Sequence, residues 1–366
     1  MKKKITFTLV IGFVSLISGL ILAGIGFFSG GFHQLIEISS AEKVHQTFKN
    51  IDSIDFDTSY LDIQMIESED QLFHVTYGIS QNGLTPSVNI SETNGLLSLT
   101  TKEKEPSIKG IMQFLGEQVS NRSTDNYHNT IVIKVPKGKT LKKLSSNSSG
   151  WSSYLSIENL TIEEVQLDNN ISLDGATIHK GTINTGAFSG IISDSTLKNV
   201  AISGSNYRID LANTTLEQSN ISGYDELTSY NLTLIGDNHF VPNEHTTLTV
   251  TNLDLSNQSL KDLNLSLTSS LSLLSLAEQI GYISSSSTDM ELEEKLAELE
   301  GLEEDGTLSY IRELAEHVGV FTKGKYDTLP VKTEGNKHIL IVEKKESKNK
   351  LSIETINGTI NLMERK

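Results

Sequence analysis

No cysteine occurs among the 366 residues. That excludes a disulfide scaffold, a thiolate metal site, a cysteine nucleophile and a lipidated N-terminal cysteine, and it leaves the redox compartment undetermined. Proline is scarce, 5 residues against 27 glycines, so chain reversal falls to glycine and to the many Ser, Thr and Asn residues. Aromatic residues make up 6% of the chain, with a single tryptophan, Trp151, which either stacks on a sugar or covers an open end of the fold. Basic residues are outnumbered 30 to 46, a net charge of -16. A field of that sign repels nucleic acid and anionic lipid and attracts cations or basic partners, although solubility alone also accounts for it.

What is present begins with a hydrophobic run. Lys2, Lys3 and Lys4 precede Ile5 to Phe28, which carry no charge and are long enough to cross a hydrocarbon core that needs roughly 20 residues. Positive residues stay cytoplasmic, so the rest of the chain is expected outside. The run exceeds the roughly 7 to 15 apolar residues of a cleaved signal and passes into GIGFFSGGF without an A-x-A site. An uncleaved single-pass anchor over 1-32 and a linker over 33-50 follow. Gly19 and Ala23 form a small-xxx-small pair of a kind frequent in such segments.

From 51 to 140 apolar residues alternate with period two: Ile54 and Phe56; Leu61, Ile63 and Met65; Phe73, Val75 and Tyr77; Leu97 and Leu99; Ile131, Ile133 and Val135. Turn signals at Asn82-Gly83 and Asn94-Gly95 separate them, so this is a β-strand entry region. A polar loop, 102-129, interrupts it with Ile108, Ile111, Met112, Leu115 and Val119 at helical spacing, as expected of a short helix covering a sheet edge.

The spacing then changes to five. Steps of 5, 5, 5 and 4 from Leu173 reach Ile178, Ile183, Phe188, Ile192, Leu197, Ile202, Tyr207, Leu211, Leu216, Ile221, Glu226, Tyr230, Ile235 and Phe240. The resulting period of 19 stacks Leu173/Ile192/Leu211/Tyr230, Ile178/Leu197/Leu216/Ile235 and Ile183/Ile202/Ile221/Phe240. A repeat of about 20 residues cannot bury its own apolar face, so coils must stack around one continuous core. A β-solenoid over 141-270 is predicted, its corners made by Gly175, Gly181, Gly186, Gly190, Gly204 and Gly223 with Asn184, Asn199, Asn206 and Asn213. The rhythm extends upstream through Ile157, Ile162 and Leu167, with a slip before Leu173. A helical insert occupies 271-335, with a capping box at Thr288 and Glu291, a second helix opening at Thr307 and a dense run of acids from Asp289 to Asp305. Strands over 336-366 are expected to cap the solenoid.

The anchor, the segment IDSIDFDTSYLDIQM, the strand and turn IVIKVPKG, the corners AISG and NISG, and the closing LSIETINGTINL together resemble the "putative adhesin" β-strand-repeat family of bacterial envelope proteins (domain of unknown function 4097). The resemblance spans about 50-245 and 336-366. It implies a surface-exposed β-solenoid protein of a bacterium, expected Gram-positive, and brings no catalytic residues with it.

Catalytic and metal-binding patterns fail on inspection. GLEEDGTLSYIR would need ligands at Gly301 and Arg312 to be a calcium loop, with Gly306 central, and arginine cannot chelate. His239, Glu244 and His245 have the wrong spacing for a zinc motif, with Pro242 in a turn between them. Ser195 and Lys198 match an acylating-serine motif no better than Ser40 with Lys43 or Ser347 with Lys350, and the companion motifs are missing. No catalytic, cofactor-binding or metal residue is assigned. The expected function is a non-enzymatic, membrane-anchored extracytoplasmic module of adhesion, binding or envelope stress, taking an envelope polymer or a basic protein or peptide as partner. The alternatives are a polysaccharide-active β-helix enzyme, with Asp174 and Asp194 as its carboxylate pair, and an acidic pentapeptide-repeat-like mimic of nucleic acid, which an extracellular location disfavours.

Overall fold

The computed structural model describes residues 2-26, 29, 42-58, 61-79, 86-102, 130-146, 154-185, 190-243, 248-283, 301 and 306-364, with side chains except those of 2-10 and 205-207. Trp151, Phe188, Thr288, Glu291 and the loop from 103 to 129 lie outside the described residues, as does the side chain of Tyr207. The chain forms two units. The first comprises Met1-Gln46, Thr76-Val88 and Thr101-Ile131. It holds the helix Lys2-Gly26, whose large apolar side chains from Ile11 to Ile25 are exposed. Among the described residues no helix is long and apolar enough to cross a membrane.

The second unit, Thr47-Val75, Asn89-Thr100 and Val132-Lys366, is built from parallel ladders, and its core is a set of side-chain stacks. In the longest, Leu167, Ile183, Ile202, Ile221 and Phe240 are register partners in succession. The stack continues through Ile353, Leu267 and Leu340. A second stack runs Met65, Ile157, Leu173, Ile192 and Leu211, and a third Leu141, Ile162, Ile178, Leu197, Leu216 and Leu234. These side chains are 0-2% exposed, and burying each contributes about 1.5-3 kcal/mol. One rung cannot bury its apolar face, so the rungs form together.

Two residues of the 19-residue pattern fall on the wrong face. Tyr230 is 41% exposed and Ile235 42%; the inward partners of Leu211 and Leu216 are Ser229 and Leu234. The cause is a local irregularity. Ser203 pairs with Ser222 but Arg208 pairs with Glu226, so this rung loses one residue between them, and the loss is made good before Phe240, which pairs with Ile221. The slip before Leu173 has a parallel origin, since Ile157, Ile162 and Leu167 pair with Leu173, Ile178 and Ile183 in a shorter coil.

Corners demand left-handed backbone, and Gly175, Asp194, Asn213 and Asn231 supply it at one corner, with φ of 63°, 48°, 49° and 55°. Asn199 and Gln218 supply it at another. Hydroxyls facing inward beside these turns satisfy the backbone. Thr214 donates to the carbonyls of Ile192 and Ala212, while Ser219 donates to those of Leu197 and Glu217 and accepts from the amide of Val200. At Gly181, φ is 138° and a Cβ would overlap the carbonyl of Val165 in the rung below, so only glycine fits. Gly190 is different: it opens the strand Gly190-Ser193, and a Cβ there would touch Ile171 and Ile209.

Strands of the entry region join the same ladders. Ser53-Asp57 pairs in parallel with both Leu96-Lys102 and Lys143-Ser146, clipped by Lys139 and Lys142, whose amines lie 2.6 and 2.7 Å from the Asp52 carboxylate. At the other end, the last strands do not form the cap. Lys350-Ile356 sits between Asp237-Pro242 and Asn264-Ser270, and Thr359-Met363 sits between Val250-Leu253 and Gly319-Lys323. The chain end is thus interior to the ladders. Beyond it lie the antiparallel strands Lys337-Val342 and Val331-Glu334. The helices Leu273-Gln279 and Thr307-Ala315 share a buried cluster of Leu276, Ala277, Ile283, Leu308 and Ile311.

Candidate functional site

In a strand, the neighbours of an inward residue point outward. Each member of the longest stack from Leu167 to Leu267 is therefore preceded by a residue of one outward row, and Leu340, on an antiparallel strand, is followed by one. In register this row reads Asp55, Ser145, Gln166 and Thr182, then Ala201, Asn220 and His239, then Ser352, Ser266 and Ile341. A second row, two residues on, runs Asp168, Asn184, Ser203, Ser222 and Val241. Rungs of a parallel sheet are about 4.8 Å apart, so the stretch from Gln166 to Ser266 spans on the order of 30 Å. A groove of about 560 Å³ opens along the first part, lined by Asp55, Lys143, Ser145, Gln166, Asp168, Thr182 and Asn184 among others.

The chemistry of this face is amide and hydroxyl. From Gln166 to Ser266 the first row holds no Asp, Glu, Lys or Arg, in a chain of net charge -16. Charges nearby are paired along the stacking direction: Glu164 with Lys180 at 2.8 Å and Lys198 with Glu217 at 2.9 Å. The hydrogen bond and charge of Lys180 lower the Glu164 carboxyl below its usual range, and hydrogen bonds from Lys139 and Lys142 lower that of Asp52 to about 2. Within the groove, Asn184 Nδ2 donates to Asp168 Oδ1 at 3.0 Å, and Ser145 Oγ to Asp55 Oδ1 at 2.5 Å.

Farther along, three residues lie in the order of nucleophile, base and carboxylate. Ser352 Oγ is 2.5 Å from His239 Nδ1, and His239 Nε2 is 3.3 Å from Asp237 Oδ1. Ser352 is in the middle of a strand paired on both sides, so its own backbone N-H is committed to the ladders and does not serve an oxyanion. The three side chains act as a hydrogen-bonded rung of the face.

The residues singled out from the sequence have other duties. Asp194 sits at a left-handed corner and accepts from Asn213 Nδ2, and Asp174 accepts from Ser193 Oγ. Ser195 is buried and donates to the Ser193 carbonyl, while Lys198 is in its ion pair. Glu244 and His245 lie outside the described residues. Among the described residues no group of three or more His, Asp or Glu could hold a metal ion. The separate six-stranded sheet built around the third stack, and called the third sheet after it, carries a different row, with Thr140, Thr161, Thr177, Thr196, Thr215 and Thr233 in successive register, a cross-strand pairing that stabilises stacked rungs. The amide and hydroxyl row went unread in the sequence, although its signal was there: Gln166, Thr182, Ala201, Asn220 and His239 each precede a member of the inward stack.

A search of curated proteins returns no match. Among solved structures the chain is similar to a "putative cell adhesion protein" from Clostridium sporogenes, at 10% identity and TM-score 0.23, over 89% of this chain and 100% of that one. It is also similar to a "putative adhesin" from Bacteroides fragilis, at 13% identity and TM-score 0.21, over 58% of this chain and 92% of that one. At such scores no residue-level detail transfers. The family assignment rests on the sequence profile, which matches residues 51-363, nearly all of the ladder-forming chain: the protein belongs to the Toastrack DUF4097 family.

Proposed function

We propose that the protein is a membrane-anchored, non-enzymatic module of the bacterial cell envelope that binds through the outward face running from Asp55 to Ser266. The observation that carries this reading is the register itself, which from Gln166 to Ser266 places polar side chains other than Asp, Glu, Lys and Arg on every rung but that of Ala201. A repeated surface of this kind suits an extended partner better than a compact one. Anchoring is supported by Lys2 to Lys4 and the uncharged run from Ile5 to Phe28. The enzyme alternative loses its support because Asp174 and Asp194 are tied to neighbouring rungs at a corner away from the groove. Protease added to intact, wall-stripped cells is expected to remove everything after about residue 32 and to leave the anchor with the membrane. Protection of the ladder domain would contradict this placement.

A further inference from the structure

We propose that the occupant of this face is a β-linked glycan lying parallel to the stacking axis, one sugar to a rung; this rests on the binding function above. The first argument is spacing. Adjacent rungs repeat every 4.7-4.9 Å, close to the advance per residue of an extended β-1,4-linked hexopyranose chain, in which each sugar is turned over relative to the last, so the same contact can recur on every second rung. An extended peptide advances about 3.3 Å per residue and docks on an unpaired strand edge, whereas these strands are paired on both sides. An α-1,4-linked chain coils and leaves register after a few sugars.

The second argument is chemistry. The amides of Gln166 and Asn220 each offer donors and an acceptor, and the hydroxyls of Thr182, Ser352 and Ser266 do both, which matches ring hydroxyls and acetamido groups. Cationic side chains, the mark of a phosphate-reading surface, do not occur in the row between Gln166 and Ser266. Ala201, without a polar group, lies at the centre between Thr182 and Asn220 and leaves room for a sugar ring. No Phe, Tyr or Trp side chain occurs in the row between Gln166 and Ser266, where His239 is the one ring, so the sugars are held mainly by hydrogen bonds. Those bonds are individually weak against water, and affinity must accumulate with chain length.

The test uses the full-length protein in detergent, retained on isolated envelope fragments and competed with β-1,4-linked N-acetylglucosamine oligomers of two, four and six units. Competition is expected to strengthen at least tenfold from the dimer to the hexamer, with α-1,4-linked glucose oligomers inert. Ala201→Arg, which plants a long side chain across the row, should lose at least tenfold in retention. Asn220→Ala should weaken it with little effect on melting, and Thr215→Arg on the third sheet should leave it unchanged. Competition independent of oligomer length, or equal competition by α-linked oligomers, would overturn the glycan assignment. Retention that no oligomer competes also overturns it but leaves the binding function standing. No retention at all removes both.

Discussion

Ile202→Asp is expected to unfold the ladder unit, whereas Ala201→Asp, one residue earlier, should melt close to wild type. Ile202 lies between Ile183 and Ile221 with 1% of its surface exposed, and no basic group belongs to that stack. Burying an unpaired carboxylate there costs at least several kcal/mol, comparable to the roughly 5-15 kcal/mol that stabilises a typical domain. Because rungs are stabilised mainly by their neighbours, the damage should spread along the stack. Ala201 faces the other way, beside Thr182 and Asn220, and a carboxylate there stays in water. Thermal unfolding followed by circular dichroism separates the two variants; similar melting of both would mean that the inward and outward assignments are wrong.

The second large effect is expected at the chain end. Truncation after Asn349 would remove two strands from inside the ladders, where Leu351, Ile353, Ile360 and Leu362 are 0-1% exposed. Four buried aliphatic side chains contribute on the order of 6-12 kcal/mol, and their loss would also leave Phe240 and Leu267 without the Ile353 that lies between them. The truncated protein should therefore lose cooperative unfolding of everything from about residue 237 onward. A synthetic peptide of residues 350-364 added in trans should restore it. Hydrogen exchange at Leu265 and Leu267 reports the outcome, and protection kept in the truncated chain without peptide would show that the end strands lie outside the ladders.

These two cases also mark what could be read from the sequence. The inward stack through Ile183, Ile202, Ile221 and Phe240 was legible because side chains that meet in space recur at a fixed interval along the chain. Tyr230 and Ile235 were misassigned because aromatic and aliphatic identity says nothing about the one residue missing between Ser222 and Glu226 relative to Ser203 and Arg208 in the rung before. The interleaved end was not legible, since the contact between His239 and Ser352 joins positions 113 residues apart and no local pattern encodes it. Alternation revealed the entry strands such as Ser53-Asp57, but their parallel union with Lys143-Ser146 depends on pairing partners that periodicity does not name. The outward row is a by-product of the inward one and was legible as far as His239; Ser352, Ser266 and Ser145 enter it only through tertiary pairing.

The absence of cysteine makes the most direct test of the binding face practical, because any cysteine introduced is the only thiol in the chain. Single substitutions Thr182→Cys, Ala201→Cys, Asn220→Cys and Ser266→Cys place a thiol on the proposed face, and Thr177→Cys and Thr215→Cys place one on the third sheet. Each full-length variant is exposed to a maleimide with and without envelope fragments, and the labelling rate is measured. The account predicts that envelope fragments slow labelling at the four face positions several-fold and leave Thr177→Cys and Thr215→Cys unchanged. Protection confined to the third sheet, or equal labelling at all six positions with and without envelope, would contradict it.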